Sequence, residues 1–138
     1  MAKSFAEKLT GAKPAHVSTM TAALWGMRKG DKLFIATPIM VRDYMKKIRR
    51  GSSRTIEQMR ADFAKTNKAH GTCPMTSSIF ARIAAEAAIE EMEDGKPADK
   101  ITPFWRLIDE KSPIAKKLSC GPAFVAKMRR QEGIGSSR

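Results

Sequence analysis

Apolar residues recur through the middle of the chain with the spacing of helices. Val41, Tyr44, Met45 and Ile48 fall at i, i+3, i+4 and i+7, which predicts a helix over 39–48 with one buried stripe. The run RRGSSR (49–54) reads as a turn. Thr55 and Gln58 then form a capping-box pattern ahead of a second stripe, Ile56, Met59 and Phe63. After the polar loop TNKAHGTCP (66–74), the longest helix is predicted from Thr76 to Glu93. Ile79, Phe80, Ile83, Ala84, Ala87 and Met92 are expected on its buried face.

On either side the pattern changes. KLFIAT (32–37) is a short β-prone run stopped by Pro38. Residues 102–109 and 114–118 read as two short strands around a loop at EKSP, a β-hairpin. Gly121-Pro122 opens a last helix, with Phe124, Val125 and Met128 inward, ending at Gly133. Residues 1–30 show no sustained period and read as an arm or loose cover with a short helix at 3–9. The expected fold is mainly α with a small β-hairpin. Three helices followed by a hairpin is the order of a winged helix-turn-helix, with a three-helix core, a wing and a C-terminal helix. The division is a basic arm at 1–38, the domain at 39–134 and a tail at 135–138.

Charge adds a partner to this picture. The 138 residues carry net +12 with pI near 10.1, which predicts attraction to polyanions. Residues 1–70 hold 15 Lys and Arg against 5 Asp and Glu, while 71–138 hold 11 against 9. Arg42, Lys46, Lys47, Arg49, Arg50 and Arg54 form the densest patch, opposed only by Asp43. Solubilising charge is usually mixed in sign, so this patch is read as a nucleic-acid face. The arm adds Lys3, Lys8, Lys13, Arg28, Lys29 and Lys32. No apolar run is long enough to span a bilayer, and MAKSFAEKLTGAKPAH lacks the apolar core of a signal peptide. A cytoplasmic monomer is expected, associated with the nucleoid when bound.

Other chemistry is thinly represented. Cys73 and Cys120 read as reduced thiols rather than a disulfide framework. With His16 and His70 they lack the spacing of a metal site, so neither metal nor cofactor is expected. Cys73 lies near His70 and before a helix, the one arrangement here that admits a thiol nucleophile, but no third orienting group is visible. Glu90, Glu91, Glu93 and Asp94 read as a solvated helix end.

Residues 41–134 carry a series of short motifs in order. IRRGSSRTIEQMRADFA (48–64) has a glycine turn and a Thr helix start. TCPMTSSIFARIAAEA (72–87) is a small-residue helix after a proline. Lys96-Pro97, PFWRLI (103–108), Cys120-Gly121 and QEGI (131–134) follow. In this series the chain resembles the DNA-binding domain of methylated-DNA–protein cysteine methyltransferases, and more closely their non-catalytic relatives, the alkyltransferase-like proteins. In that family a Cys accepts the alkyl group while a His and a Glu activate it. The resemblance puts Phe104 at the Cys and Trp105 at the His, and keeps Glu132. It therefore implies no transferase reaction. It implies binding of double-stranded DNA, with recognition of alkylated guanine and a hand-over to repair proteins.

The same resemblance names contacts. Arg49, Arg50 and Arg54 would meet phosphates, and Thr55 would belong to the DNA-binding face. Ser77, Ser78 and Ala81 would let the recognition helix approach a groove closely, with Ser78 where the family places an Arg finger and Arg82 one turn later. Ile56, Phe104, Trp105 and Glu132 would line the lesion pocket, Ile56 standing where the family has Tyr. For Phe104 and Trp105 two readings stand side by side: a pocket wall that stacks on an extruded base, or core packing along a strand. Two other functions remain open, a small RNA- or ribosome-associated protein and a cysteine alkyl acceptor using Cys73 or Cys120.

Overall fold

The computed structural model describes residues 4–134; Lys3 and the 135–138 tail lie outside the described residues. Its architecture is mainly helical with one small sheet. In chain order it runs α1 (Phe5–Thr10), β1 (His16–Thr19), β2 (Lys32–Ile35), α2 (Pro38–Lys47), α3 (Ile56–Thr66), β3 (Gly71–Thr72), α4 (Pro74–Glu93), α5 (Pro113–Lys117) and α6 (Gly121–Gln131). Two 3₁₀ turns, Ala98–Lys100 and Phe104–Arg106, lie between α4 and α5.

The helices begin where side chains can satisfy their first N–H groups. Thr37 caps α2 with Pro38 in its first turn. Thr55 and Gln58 cap α3 reciprocally, as the sequence pattern requires. Tyr44 on α2 donates to Asp62 of α3 at 2.6 Å and meets the Phe63 ring edge-on, which fixes these two helices against each other.

Helix α4 is the axis of the molecule, packed between α1 and α2. Its buried side differs in phase from the expected stripe. Ser77, Ala81, Ala84, Ala85 and Ala88 are in the core, whereas Ile79 is 53 % exposed and Phe80, Ile83 and Met92 are half-buried. The physical reason is size: alanines let neighbouring helices approach the backbone closely, and the larger residues flank that seam.

The N-terminal residues build part of this fold. Ser4 and Glu7 form a capping box at α1, and the Glu90 carboxylate of α4 accepts the N–H groups of Phe5 and Ala6 at 3.0 and 2.9 Å. β1 pairs antiparallel with β2 (His16↔Ile35 through Thr19↔Lys32), and β3 pairs with β2 in parallel. The hairpin of this fold is thus β1–β2.

No strand forms where the wing was expected. Residues 102–109 contain the 3₁₀ turn Phe104–Arg106, and 114–118 fall largely within α5. Ile101, Phe104, Trp105 and Ile108 are buried together at i, i+3, i+4 and i+7, a helical spacing that Pro103 confines to one tight turn. Ser112 accepts from the Ala115 N–H and Pro113 sits in the first turn, so α5 has an ordinary helix start.

Candidate nucleic-acid interface

The end of α2 and the turn to α3 form the most cationic exposed segment. Lys46, Lys47, Arg49, Arg50 and Arg54 are all exposed. Of these, Arg50 reaches Glu132 at 3.8 Å; the other four form no ion pair within 4.0 Å among the described residues. Arg42 is turned aside to Asp43 at 3.0 Å. Gly51 sits at φ +84, a left-handed turn residue whose added Cβ would approach the Glu132 carbonyl at 3.3 Å. The Arg54 N–H donates to the Arg106 carbonyl at 2.9 Å, so the basic turn is fastened to the 3₁₀ turn behind it.

Thr55 stands at the start of α3, and its hydroxyl accepts the Gln58 N–H at 3.0 Å. Ile56 and Ser78 face a common groove of about 500 Å³ between α3, the start of α4 and α5. Ser78 and Arg82 line its continuation toward α1, about 230 Å³. There the Arg82 guanidinium lies 5.9 Å from the Phe5 ring centroid. Ser77 and Ala81 do not reach this surface. Both are fully buried, and the Ser77 hydroxyl donates to the Cys73 carbonyl at 2.7 Å. The surface of α4 available to a groove is therefore carried by Ser78 and the exposed Met75 and Ile79, a correction to the expected trio.

Phe104 is core. Its ring is fully buried, 5.3 Å from the Trp105 ring and stacked on Phe124 at 6.1 Å. No strand alternation puts one of the pair outside; a 3₁₀ turn buries both. Trp105 nevertheless forms one wall of a cavity of about 560 Å³, together with Pro103, Arg106 and Glu132, with Lys46 and Arg50 at its rim. Among the residues expected in a pocket, Trp105 and Glu132 line this cavity, Phe104 packs against Trp105 in the core without lining it, and Ile56 faces the separate groove.

Arg106 and Glu132 organise that wall. The guanidinium donates to both carboxylate oxygens at 2.8 and 3.0 Å and to the Ile48 carbonyl at 2.7 Å. The Glu132 side chain is only 2 % exposed. Burial opposes its ionisation, but the Arg106 hydrogen bonds, the nearby Trp105 indole, the Arg106 charge and the Gly51 N–H outweigh it. They hold the carboxyl below the usual range. The indole N–H itself is buried without a partner at ordinary hydrogen-bond length. Arg129 donates to the Trp105 carbonyl at 2.7 Å and steadies the turn from α6. Arg106 and Arg129 escaped the sequence reading as site residues, although the Arg of PFWR, four residues from buried Thr102, was the available signal.

Cys73 is buried and precedes α4 without a side-chain cap. Burial, and then the buried Glu86 carboxylate, push the Cys120 thiol up to about 11. Among the described residues no cluster of three or more His, Cys, Asp or Glu is placed to hold a metal ion, and no helix is long and apolar enough to cross a membrane. Compared with known proteins, the chain matches no family model, no curated protein and no solved structure.

Proposed function

We propose that this chain binds double-stranded DNA and recognises alkylated guanine without removing the alkyl group, in the manner of alkyltransferase-like proteins. The observation that carries the reading is the end of α2 and the turn to α3: five exposed cations, four of them without an ion pair among the described residues, beside a helix pair whose open groove is lined by Ile56 and Ser78. Phosphates would meet Arg49, Arg50 and Arg54, while α3 and the first turns of α4 face the duplex. The helix-turn-helix in this proposal is α3–α4 without a wing at 102–118. Alkyl transfer is left out because Phe104 and Trp105 supply neither sulfur nor imidazole, and Cys120 is held as a thiol. The lesion-binding part attaches to the cavity walled by Trp105, Arg106 and Glu132.

Fluorescence anisotropy with a blunt duplex, with and without one O6-methylguanine, tests it. Binding that falls steeply with salt is expected, and tighter for the alkylated duplex. Equal affinity for both duplexes removes the lesion and leaves a plain DNA binder. Tighter binding to a structured RNA hairpin moves the protein to RNA. A methyl adduct on intact mass after incubation overturns the non-catalytic reading.

A further inference from the structure

A second feature of the surface lies away from these residues, at the loop joining β1 and β2. Leu24 and Met27 bridge each other through two backbone hydrogen bonds, Leu24 N–H to Met27 carbonyl at 3.1 Å and the reverse at 2.9 Å. Between them Trp25 and Gly26 both take positive φ, +55 and +75. That is a two-residue turn of the type that favours Asn-Gly. A bulky aromatic in the left-handed region is an outlier, strained relative to a residue suited to it. Turn formation alone gives no reason for tryptophan there.

The loop holding it is fixed on both sides. The Met20 N–H donates to Asp31, the Gly30 N–H to Met20 and the Arg28 N–H to the Asp31 carboxylate. Met27 lies across β3, where any side chain on Gly71 would meet its Sδ at 2.8 Å. Trp25 is thus mounted on a braced turn, 37 % exposed, rather than left on a loose end. It overhangs a cleft of about 580 Å³ against α3. The floor is Ala61 and Ala64, the sides are Arg60 and Lys65, His70 lies at the β3 end, and Glu57 is the one acidic group. Positions 57, 60, 61, 64 and 65 make a single face of α3.

A flat indole at one wall, a floor of small residues and two cations flanking it define the chemistry of the ligand. We propose that this cleft holds one unpaired nucleotide of a DNA strand, its base stacked on Trp25 and its phosphate on Arg60 and Lys65. Stacking on an aromatic platform beside a cationic track is the general means of holding single strands without reading sequence. The cleft shares Glu57 and Arg60 with the edge of the α3–α4 groove, but Trp25 and Lys65 line the cleft and not that groove, so variants at these two separate this proposal from the duplex reading.

The test compares wild type with Trp25→Asn and Lys65→Gln, by anisotropy, on labelled dT12, on blunt duplex and on dTMP. Asn suits the left-handed turn, so Trp25→Asn is expected to melt no lower than wild type. It is expected to bind dT12 about tenfold more weakly, and Lys65→Gln severalfold more weakly, with blunt-duplex affinity unchanged in both. Wild-type indifference to dT12 at low salt, or equal dT12 binding by Trp25→Asn, overturns the site. Binding of dTMP as tight as dT12 overturns the strand in favour of a free nucleotide. Loss of duplex binding by wild type, with dT12 binding intact, sinks only the duplex reading.

Discussion

The carboxylate of Glu132, paired with Arg106, has a pH signature. Its pKa is lower in the folded chain than the ordinary value of 4.5, so between the two values the unfolded state binds more protons. Its stabilisation is complete above about pH 4.5 and is lost as pH falls through the folded value. Glu132→Gln is expected to flatten that acid limb in urea titrations across pH 3–6. It is also expected to cost about 3 kcal/mol at pH 7, because Arg106 would keep its charge while losing a two-pronged partner. An unchanged acid limb would show that the pair forms no closer in the folded state than in the unfolded one. Cys120 behaves in the opposite sense: with its thiol pushed up to about 11, iodoacetamide at pH 8 is expected to alkylate it far more slowly than a free cysteine. Peptide mass spectrometry after timed quenching reads that rate, and rapid labelling would restore a cysteine acceptor.

Among the elements, two carry expectations that separate support from function. Thr55 was expected on the DNA-binding face, yet its hydroxyl already accepts the Gln58 N–H at the start of α3. Thr55→Ala is expected to lower stability by about 1 kcal/mol while Thr55→Ser does not, as read by thermal melts. Glu90 holds α1 by its first N–H groups, so Glu90→Gln is expected to speed amide exchange in residues 5–10 and leave the α2–α3 pair protected. Uniform acceleration throughout would make α1 part of a single cooperative unit. These elements also mark what could be read beforehand. Helices α2 and α3 and strand β2 were legible because an amphipathic stripe, a capping box and a β-prone run each sit within ten or so residues. β1 was not: all four of its residues are exposed, so no alternation announces it, and β3 is two residues long. The 3₁₀ turn at Phe104 was misread because Pro103 interrupts a helical spacing and leaves too few turns for a period to show. The pair Trp105–Glu132 was reachable only through resemblance, since 27 positions separate residues that meet across Arg106.

On the scale of the whole molecule, charge is unevenly distributed: the exposed cations gather where α2 turns into α3, and α4 ends in an acidic cluster. Its 20 residues span about 30 Å, with the groove at its first turns and Glu90, Glu91, Glu93 and Asp94 at its last. That acidic end opposes the helix dipole, and two of its members are engaged, Glu90 with α1 and Glu91 with Lys96 at 2.9 Å. The proposed DNA contact makes position, and not merely net charge, the quantity to test. Arg49→Glu and Lys96→Glu alter net charge equally, one at the basic turn and the other beside the acidic cluster. Arg49→Glu is expected to remove a phosphate contact and reduce the slope of log affinity against log salt by about 0.9. Lys96→Glu is expected to leave the slope as it is and shift affinity only slightly. Anisotropy on a blunt duplex between 50 and 200 mM salt resolves the two. Equal slopes would mean that charge acts only as a diffuse field, and the α2–α3 turn would lose its place as the contact surface.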